Sequence, residues 1–237
     1  ILDEIEAIAL FENYEFINAD IVETIASNKV NLVFDIKESE KIFVNKINIL
    51  GNNITSEEFI RNNLIVDEGD PFNKILHNKS INKLRSKGIF GKVKSKIIDT
   101  DDAGLKDIEL TIEERPTGEI MAGAGYGSDG STFSVGIKEN NFNGKGITLE
   151  TNLRLTEESV KGSFNYRHPN FLYSDRALST SLDVIETDKL NDFGYKSSLN
   201  SISLGTSYEQ FENTFFSPTL SISNESLETT SDASAAY

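Results

Sequence analysis

Nine consecutive positions, Ile147 to Leu155, alternate apolar or small side chains with polar ones almost without a break. Successive side chains of a strand point to opposite faces, so such a run folds as a strand with one dry and one wet face. The pattern returns twice. Val160, Gly162, Phe164 and Tyr166 alternate with Lys161, Ser163, Asn165 and Arg167, and Leu178, Thr180, Leu182 and Val184 alternate with Ser179, Ser181 and Asp183. Soluble strands average about 5–6 residues, whereas a tilted strand crossing a bilayer needs about 9–11. From about residue 118 onward the chain offers only strand-like runs, rich in Gly, Ser, Thr and Asn and separated by turn signals.

Tyr126, Phe142, Tyr166, Phe171, Tyr173, Tyr195, Tyr208 and Phe211 gather near the ends of these runs. Amphipathic rings sit well at headgroup depth, which suits a barrel. Aromatics also flank the strands of soluble sandwiches, so on texture alone both readings stand. No stretch approaches the ~18–20 apolar residues of a spanning helix. A membrane role therefore requires strands, because only helices and closed barrels satisfy backbone groups in lipid.

Composition removes several other classes. A formal charge of -15 opposes a nucleic-acid partner, whose phosphates demand a basic face. The absence of cysteine removes disulfides, thiolate metal sites and a cysteine nucleophile. Two histidines, His77 and His168, leave little room for a histidine-rich metal centre. The first residues, Ile1 to Ile5, show no basic segment before an apolar core and hence no signal peptide. They read as the middle of an amphipathic helix with Ile1, Ile5 and Ile8 on one side, and the start as a cut through a longer protein.

Residues 1 to about 115 mix helix-like and strand-like patterns. Val30, Leu32, Phe34 and Ile36 mark a half-buried strand, with the Tyr14–Ile17 stretch as its expected hairpin partner. A complete unit follows. Ile42 to Leu50 reads as a strand, and Gly51-Asn52 as a turn. Thr55 and Glu58 have capping-box spacing ahead of a helix bearing Ile60 and Leu64. Glu68-Gly69-Asp70-Pro71 is a loop. A second helix is predicted from about Asn73 to Lys87, with Leu76, Ile81 and Leu84 inward and Gly88 as its left-handed stop. Strands over Phe90–Ile98 and Ile108–Ile112 complete a β-α-α-β-β order.

Val44-Asn45-Lys46-Ile47 stands before Gly51-Asn52, Glu68-Gly69 is followed by Phe72, and Gly88-Ile89-Phe90 follows the second helix. In these motifs residues 42 to 115 resemble the last POTRA repeat of the BamA family. Glu113-Glu114-Arg115-Pro116-Thr117-Gly118, at the junction of repeat and strands, is the most specific element of the resemblance. Gly123 to Ser128 is similar to the family's first barrel strand, Glu139 to Gly146 to its turn after the second, and His168-Pro169-Asn170-Phe171-Leu172 to its turn after the fourth. The resemblance implies α+β POTRA repeats followed by the first strands of an antiparallel transmembrane β-barrel. Residues 1–40 would be the second half of a penultimate repeat, 41–115 the last repeat, and 116–237 about seven barrel strands ending in a truncation. Roughly nine further strands would follow in a full barrel.

Enzyme chemistry finds no support. Gly123 to Gly130 lacks the Lys-Ser/Thr ending of a phosphate loop. Asp99, Asp101 and Asp102 lack EF-hand spacing and read as a solvated turn. Glu113 and Glu114 beside Arg115 read as an ion-paired hinge, His168 as a turn residue and His77 as an exposed or rim position. No serine sits in a nucleophile elbow. The expectation is a non-enzyme with no cofactor and no metal.

The resemblance implies a gate at the first barrel strand: Glu119, Ile120, Met121, Ala122, Gly123, Ala124, Gly125 and Tyr126. Small residues there make cross-strand packing sparse, so that its edge can template a nascent outer-membrane strand. A POTRA edge, the strand from about Gly91 to Asp99, is expected to bind clients by β-augmentation. Glu68 and Gly69 are the candidate contact for an accessory lipoprotein, against a solvated loop. Implied partners are nascent outer-membrane β-barrel proteins, accessory lipoproteins, periplasmic chaperones and the bilayer of a bacterial outer membrane. Two-partner-secretion or autotransporter-assembly pores share the same plan and form the alternative.

Overall fold

The computed structural model describes residues 17–26, 29–38, 41–127, 130–211, 214–231 and 233. The expected helix over Ile1–Ile8, the Tyr14–Phe16 part of the expected hairpin and Ser234–Tyr237 lie outside these residues. By its contacts the chain divides into one unit of Ile1–Asn52 and Asn63–Glu114 and a second of Asn53–Asn62 and Arg115–Tyr237.

In the first unit, β1 (Ile17–Ala26) pairs antiparallel with β2 (Lys29–Glu38), from Ile17 opposite Glu38 to Ala26 opposite Lys29. The expected strand at Val30–Ile36 lies in β2, but its partner starts where the expected Tyr14–Ile17 stretch ends. A three-stranded sheet follows: β3 (Phe43–Leu50) parallel to β5 (Leu105–Glu114), and β4 (Phe90–Asp99) antiparallel to β5 on its other side. Ile108, Leu110 and Ile112 alternate along the central strand and are all buried, as are Val44, Ile47 and Val93. One face of the sheet is therefore the floor of this core.

Helix α2 (Lys74–Ser86) buries His77, Ser80, Ile81 and Leu84. Asn73 caps it, its Oδ1 accepting from the amides of Ile75 and Leu76. Gly88, at φ +71, stops the helix as predicted. His77 overturns its expected exposure. It lies four residues before Ile81 on the same stripe, is 5% exposed, and meets Ser95 Oγ at 2.8 Å.

In the second unit, short helix α1 (Glu57–Arg61) takes Ser56 as its cap, whose Oγ accepts from Phe59 N at 3.2 Å. The predicted cap, Thr55, is instead buried in a contact with a distant turn described below. The remainder is one antiparallel sheet: β6 (Gly118–Gly127), β7 (Gly130–Phe142), β8 (Ile147–Thr156), β9 (Ser159–His168), β10 (Ala177–Lys189) and β11 (Tyr195–Phe211), in sequence order. After β10 comes the single turn α3 (Leu190–Phe193), stopped by Gly194 at φ +71.

Segments β12 (Thr214–Phe216) and β13 (Thr219–Thr229) both pair with β11. They share one register, Phe216 opposite Tyr208 and Thr219 opposite Gly205. They are one strand interrupted at Pro218, which has no N–H for the ladder. The sheet thus has seven strand positions and, among the described residues, two open edges.

Residues directly opposite each other in adjacent strands share a face. One row runs Ile120, Ile137, Thr151, Phe164, Leu182, Ile202 and Ile222. The next runs Met121, Gly136, Asn152, Ser163, Asp183, Ser201 and Ser223. One face is mainly apolar and the other mainly polar, with exceptions such as Asn200 opposite Val184 and Leu199 opposite Ile185. The apolar one is bare: Ile120, Phe133, Ile137, Val184, Leu204 and Ile222 are all exposed.

Candidate functional site: the β6 edge and the turn end of the sheet

Every residue of β6 is exposed, and it pairs only with β7 among the described residues. Among the described residues its other edge leaves a row of backbone donors and acceptors without a partner strand. The predicted gate residues Glu119 to Tyr126 all lie in this strand. Ile120, Ala122, Ala124 and Tyr126 stand on the apolar face, and Glu119, Met121, Gly123 and Gly125 on the polar one. Where Ala122 and Ala124 meet Phe133, Val135, Leu153 and Leu155, the short side chains leave a trough of about 410 Å³. A Cβ on Gly125 would meet nothing within 4 Å, so the strand is held by its backbone ladder with little side-chain support.

The predicted junction is tied down at its second half. Thr117 Oγ1 donates to Glu139 Oε1, and the Thr117 carbonyl accepts from Asn140 N at 3.3 Å. Asn141 N also donates to Glu139 Oε1, at 2.7 Å. Gly118 starts β6 beside Glu139, where a Cβ would approach Oε2 to 3.3 Å. Arg115 and Pro116 form the link before it. On the first-unit side, Glu113 pairs with Lys92 at 3.1 Å, and Glu114 ends β5 opposite Phe90.

The β7–β8 turn carries three positive φ values, at Asn143, Gly144 and Gly146. Asn141 organises it, its Oδ1 accepting from Gly146 N at 2.8 Å. Its Nδ2 donates to Thr55 Oγ1, and Ser56 N donates to Gly144 O at 2.9 Å. A Cβ on Gly146 would run into the Phe59 ring. Residues 53–62 are therefore sewn to this turn. Sequence reasoning singled out Glu139–Gly146 but missed Thr55 and Ser56 as its partners.

The other predicted motif residues stand apart from the β6 edge. Glu68 Oε1 accepts from Ile47 N at 2.8 Å, and Gly69 N donates to Val44 O at 2.8 Å, so this loop is pinned along β3. Gly51, at φ +88, passes so close to the Ile112 carbonyl that no side chain fits, with Asn52 next to it. Phe90 is buried in the core of the first unit. The predicted edge strand β4 does lie at one border of the three-stranded sheet, but β3 occupies the other.

Residues 42–115 match the family model of POTRA, the surface antigen variable number repeat. The structure superposes on BamA from Haemophilus ducreyi lacking POTRA domains 1-3 with a TM-score of 0.74, at 23% identity, over 96% of this chain and 44% of that one. Residues 42–115 thus match a POTRA repeat, and the strands after them have the fold of those in the BamA barrel. Among sequence relatives, the outer membrane protein assembly factor BamA of Neisseria meningitidis serogroup B is 27% identical over 160 residues, 67% of this chain and 20% of that protein. That of Neorickettsia risticii is 30% identical over 156 residues, again covering 20% of the relative. The chain spans about a fifth to a quarter of the curated relatives it matches. CdiB from Acinetobacter baumannii shares the fold at a TM-score of 0.58 and 17% identity, over 93% of this chain and 45% of that one.

Proposed function

We propose that this chain is part of a factor that assembles β-barrel proteins into the bacterial outer membrane, with its POTRA repeat in the periplasm. The observation that carries this reading is the two-faced sheet ending at β6. Its apolar face is suited to lipid, and its last backbone edge, unpaired among the described residues, is weakly supported by side chains. Similarity to the BamA assembly factors supports the same reading.

In this reading β6 is the gate. A nascent outer-membrane strand pairs with the free edge from Glu119 to Tyr126 and lengthens the sheet one strand at a time. Backbone pairing reads no particular side chain, which suits many unrelated clients. Burial of the client's apolar face in lipid drives the step, so hydrogen-bond exchange with no nucleotide suffices. The β4 border of the POTRA sheet holds extended clients beforehand, and periplasmic chaperones deliver them. The Glu68–Gly69 loop, exposed yet pinned to β3, presents a fixed surface to an accessory lipoprotein.

Single cysteines placed from 119 to 126 test the gate. Stalled clients carrying a cysteine in their terminal strand are expected to cross-link along this strand in register. Capture confined to β9 or β10 would sink it. A secretion pore of the CdiB kind is the second reading, favoured by fold likeness at a lower TM-score. It predicts cross-links from a single dedicated passenger to the polar face of the sheet.

A further inference from the structure

At the turn end of the second unit a cavity of about 140 Å³ opens among Glu58, Asn62, Lys145, His168, Asn170 and Phe171. Its walls come from the α1 segment, the β7–β8 turn and the β9–β10 turn. The lining has two chemical halves. Lys145 and His168 bring an ammonium group and an imidazole, which attract and hydrogen-bond an anion. Glu58 brings a carboxylate. Asn170 Oδ1 is buried with no hydrogen-bond partner among the described residues, while its Nδ2 donates to Ser174 O at 3.4 Å. A buried acceptor left unpaired is costly, and Asn170 is among the residues that line this cavity.

The cavity also connects to the apolar face. The rings of Phe171 and His168 meet edge to face at 5.7 Å, and those of His168 and Tyr166 at 6.5 Å. Tyr166 stands opposite Leu149 and Thr180, on the same face as Phe164 and Leu182. The ring series thus leads from the cavity onto the lipid-facing surface. At the mouth, Leu172 holds a left-handed backbone, φ 53, with its side chain 74% exposed. A leucine is costly in that conformation, and an exposed one is most at ease against hydrocarbon.

We infer that this cavity binds the headgroup of a phospholipid bearing a primary ammonium, a phosphoethanolamine. The phosphate lies against Lys145 and His168. The ammonium donates to Asn170 Oδ1 and faces the Glu58 carboxylate, and the acyl chains run over Tyr166 and Leu172 onto the apolar face. A quaternary choline has no N–H for Asn170, and a glycerol headgroup has no cation for Glu58. The inference rests on the reading that the apolar face meets lipid.

Native mass spectrometry of the full chain, released from micelles doped with phosphatidylethanolamine, phosphatidylglycerol or phosphatidylcholine, tests it. One phosphatidylethanolamine per chain is expected to be retained, with a preference of roughly tenfold over the other two. Lys145→Glu and Asn170→Leu should each lower retention by a similar factor, while Lys161→Glu on the polar face leaves it unchanged. Lys145 is exposed, so its substitution reports even if the Asn170 variant fails to fold. Equal retention of all three lipids, indifference to both variants, or full displacement by inorganic phosphate overturns the proposal. Insertion into phosphatidylcholine vesicles without headgroup preference defeats the headgroup site and leaves the lipid-facing sheet standing. Failure to partition into vesicles of any composition defeats both.

Discussion

Asn141 and Thr55, 86 residues apart in sequence, are joined by a buried hydrogen bond of 2.9 Å from Nδ2 to Oγ1. Both residues are buried, and the same Asn141 amide also holds Gly146 through its Oδ1. One side chain therefore closes the β7–β8 turn and fastens residues 53–62 to it. Asn141→Leu removes both bonds and sets an apolar side chain against the buried Thr hydroxyl. It should destabilise the second unit by about 1–3 kcal/mol. Thr55→Val leaves the turn bond intact and should cost less. Thermal unfolding of both variants in micelles checks the order.

Gly51 and Gly69 both hold positive φ, +88 and +87, but only Gly51 abuts backbone. Gly69→Ala should cost about 1–2 kcal/mol, the penalty of a left-handed non-glycine residue. Gly51→Ala adds a collision with the Ile112 carbonyl at the central strand and should cost clearly more. Urea unfolding monitored on the first unit separates the two, and equal losses would contradict the close approach.

Burial holds the His77 imidazole below its ordinary value of 6.5. Above that value folded and unfolded chains are both neutral at this site, and its contribution is fully present. As pH falls below about 6.5 the unfolded chain takes up a proton that the folded chain refuses until its lower pKa is reached. Stability of the first unit should therefore decline across that interval and level off below it. His77→Gln should flatten this component in denaturant midpoints measured from pH 7.5 downward.

At Gly125 in β6 a side chain meets open space, whereas at Gly123 a Cβ would approach Ser134 Oγ to 2.9 Å. Gly125→Val adds a β-branched residue opposite Thr132 and should strengthen β6–β7 pairing by up to about 1 kcal/mol. If the edge acts by separating and re-pairing, the same variant should slow barrel assembly in cells while raising the melting temperature. Stability and assembly rising together would argue against a weakly held gate.

Some of this architecture was open to reading and some was not, for physical reasons. The strands from Ile147 to Val184 were legible because one face of each carries apolar or small side chains at every second position, and a period of two survives tertiary context. Gly88 was legible because a helix stop at positive φ selects glycine. Thr55 misled because Thr55–Glu58 has capping spacing, yet its hydroxyl is claimed by a residue in another turn. No local pattern carries that information. His77 misled for a different reason. Its identity suggested the surface, while its place on the Ile81–Leu84 stripe already put it inside. The unpaired oxygen of Asn170 depends on three segments meeting, which no spacing rule encodes.

Because residues 53–62 belong with the sheet while the chain on both sides of them belongs to the other unit, the polypeptide passes between units at 52/53, 62/63 and 114/115. A protease nick at 115 would thus yield two pieces that each lack something the other holds. The C-terminal piece would lose the hydroxyl that Asn141 reaches across the turn. Mixed together, the halves should complement one another, as an enzyme split inside a domain does, and neither should reach full order alone.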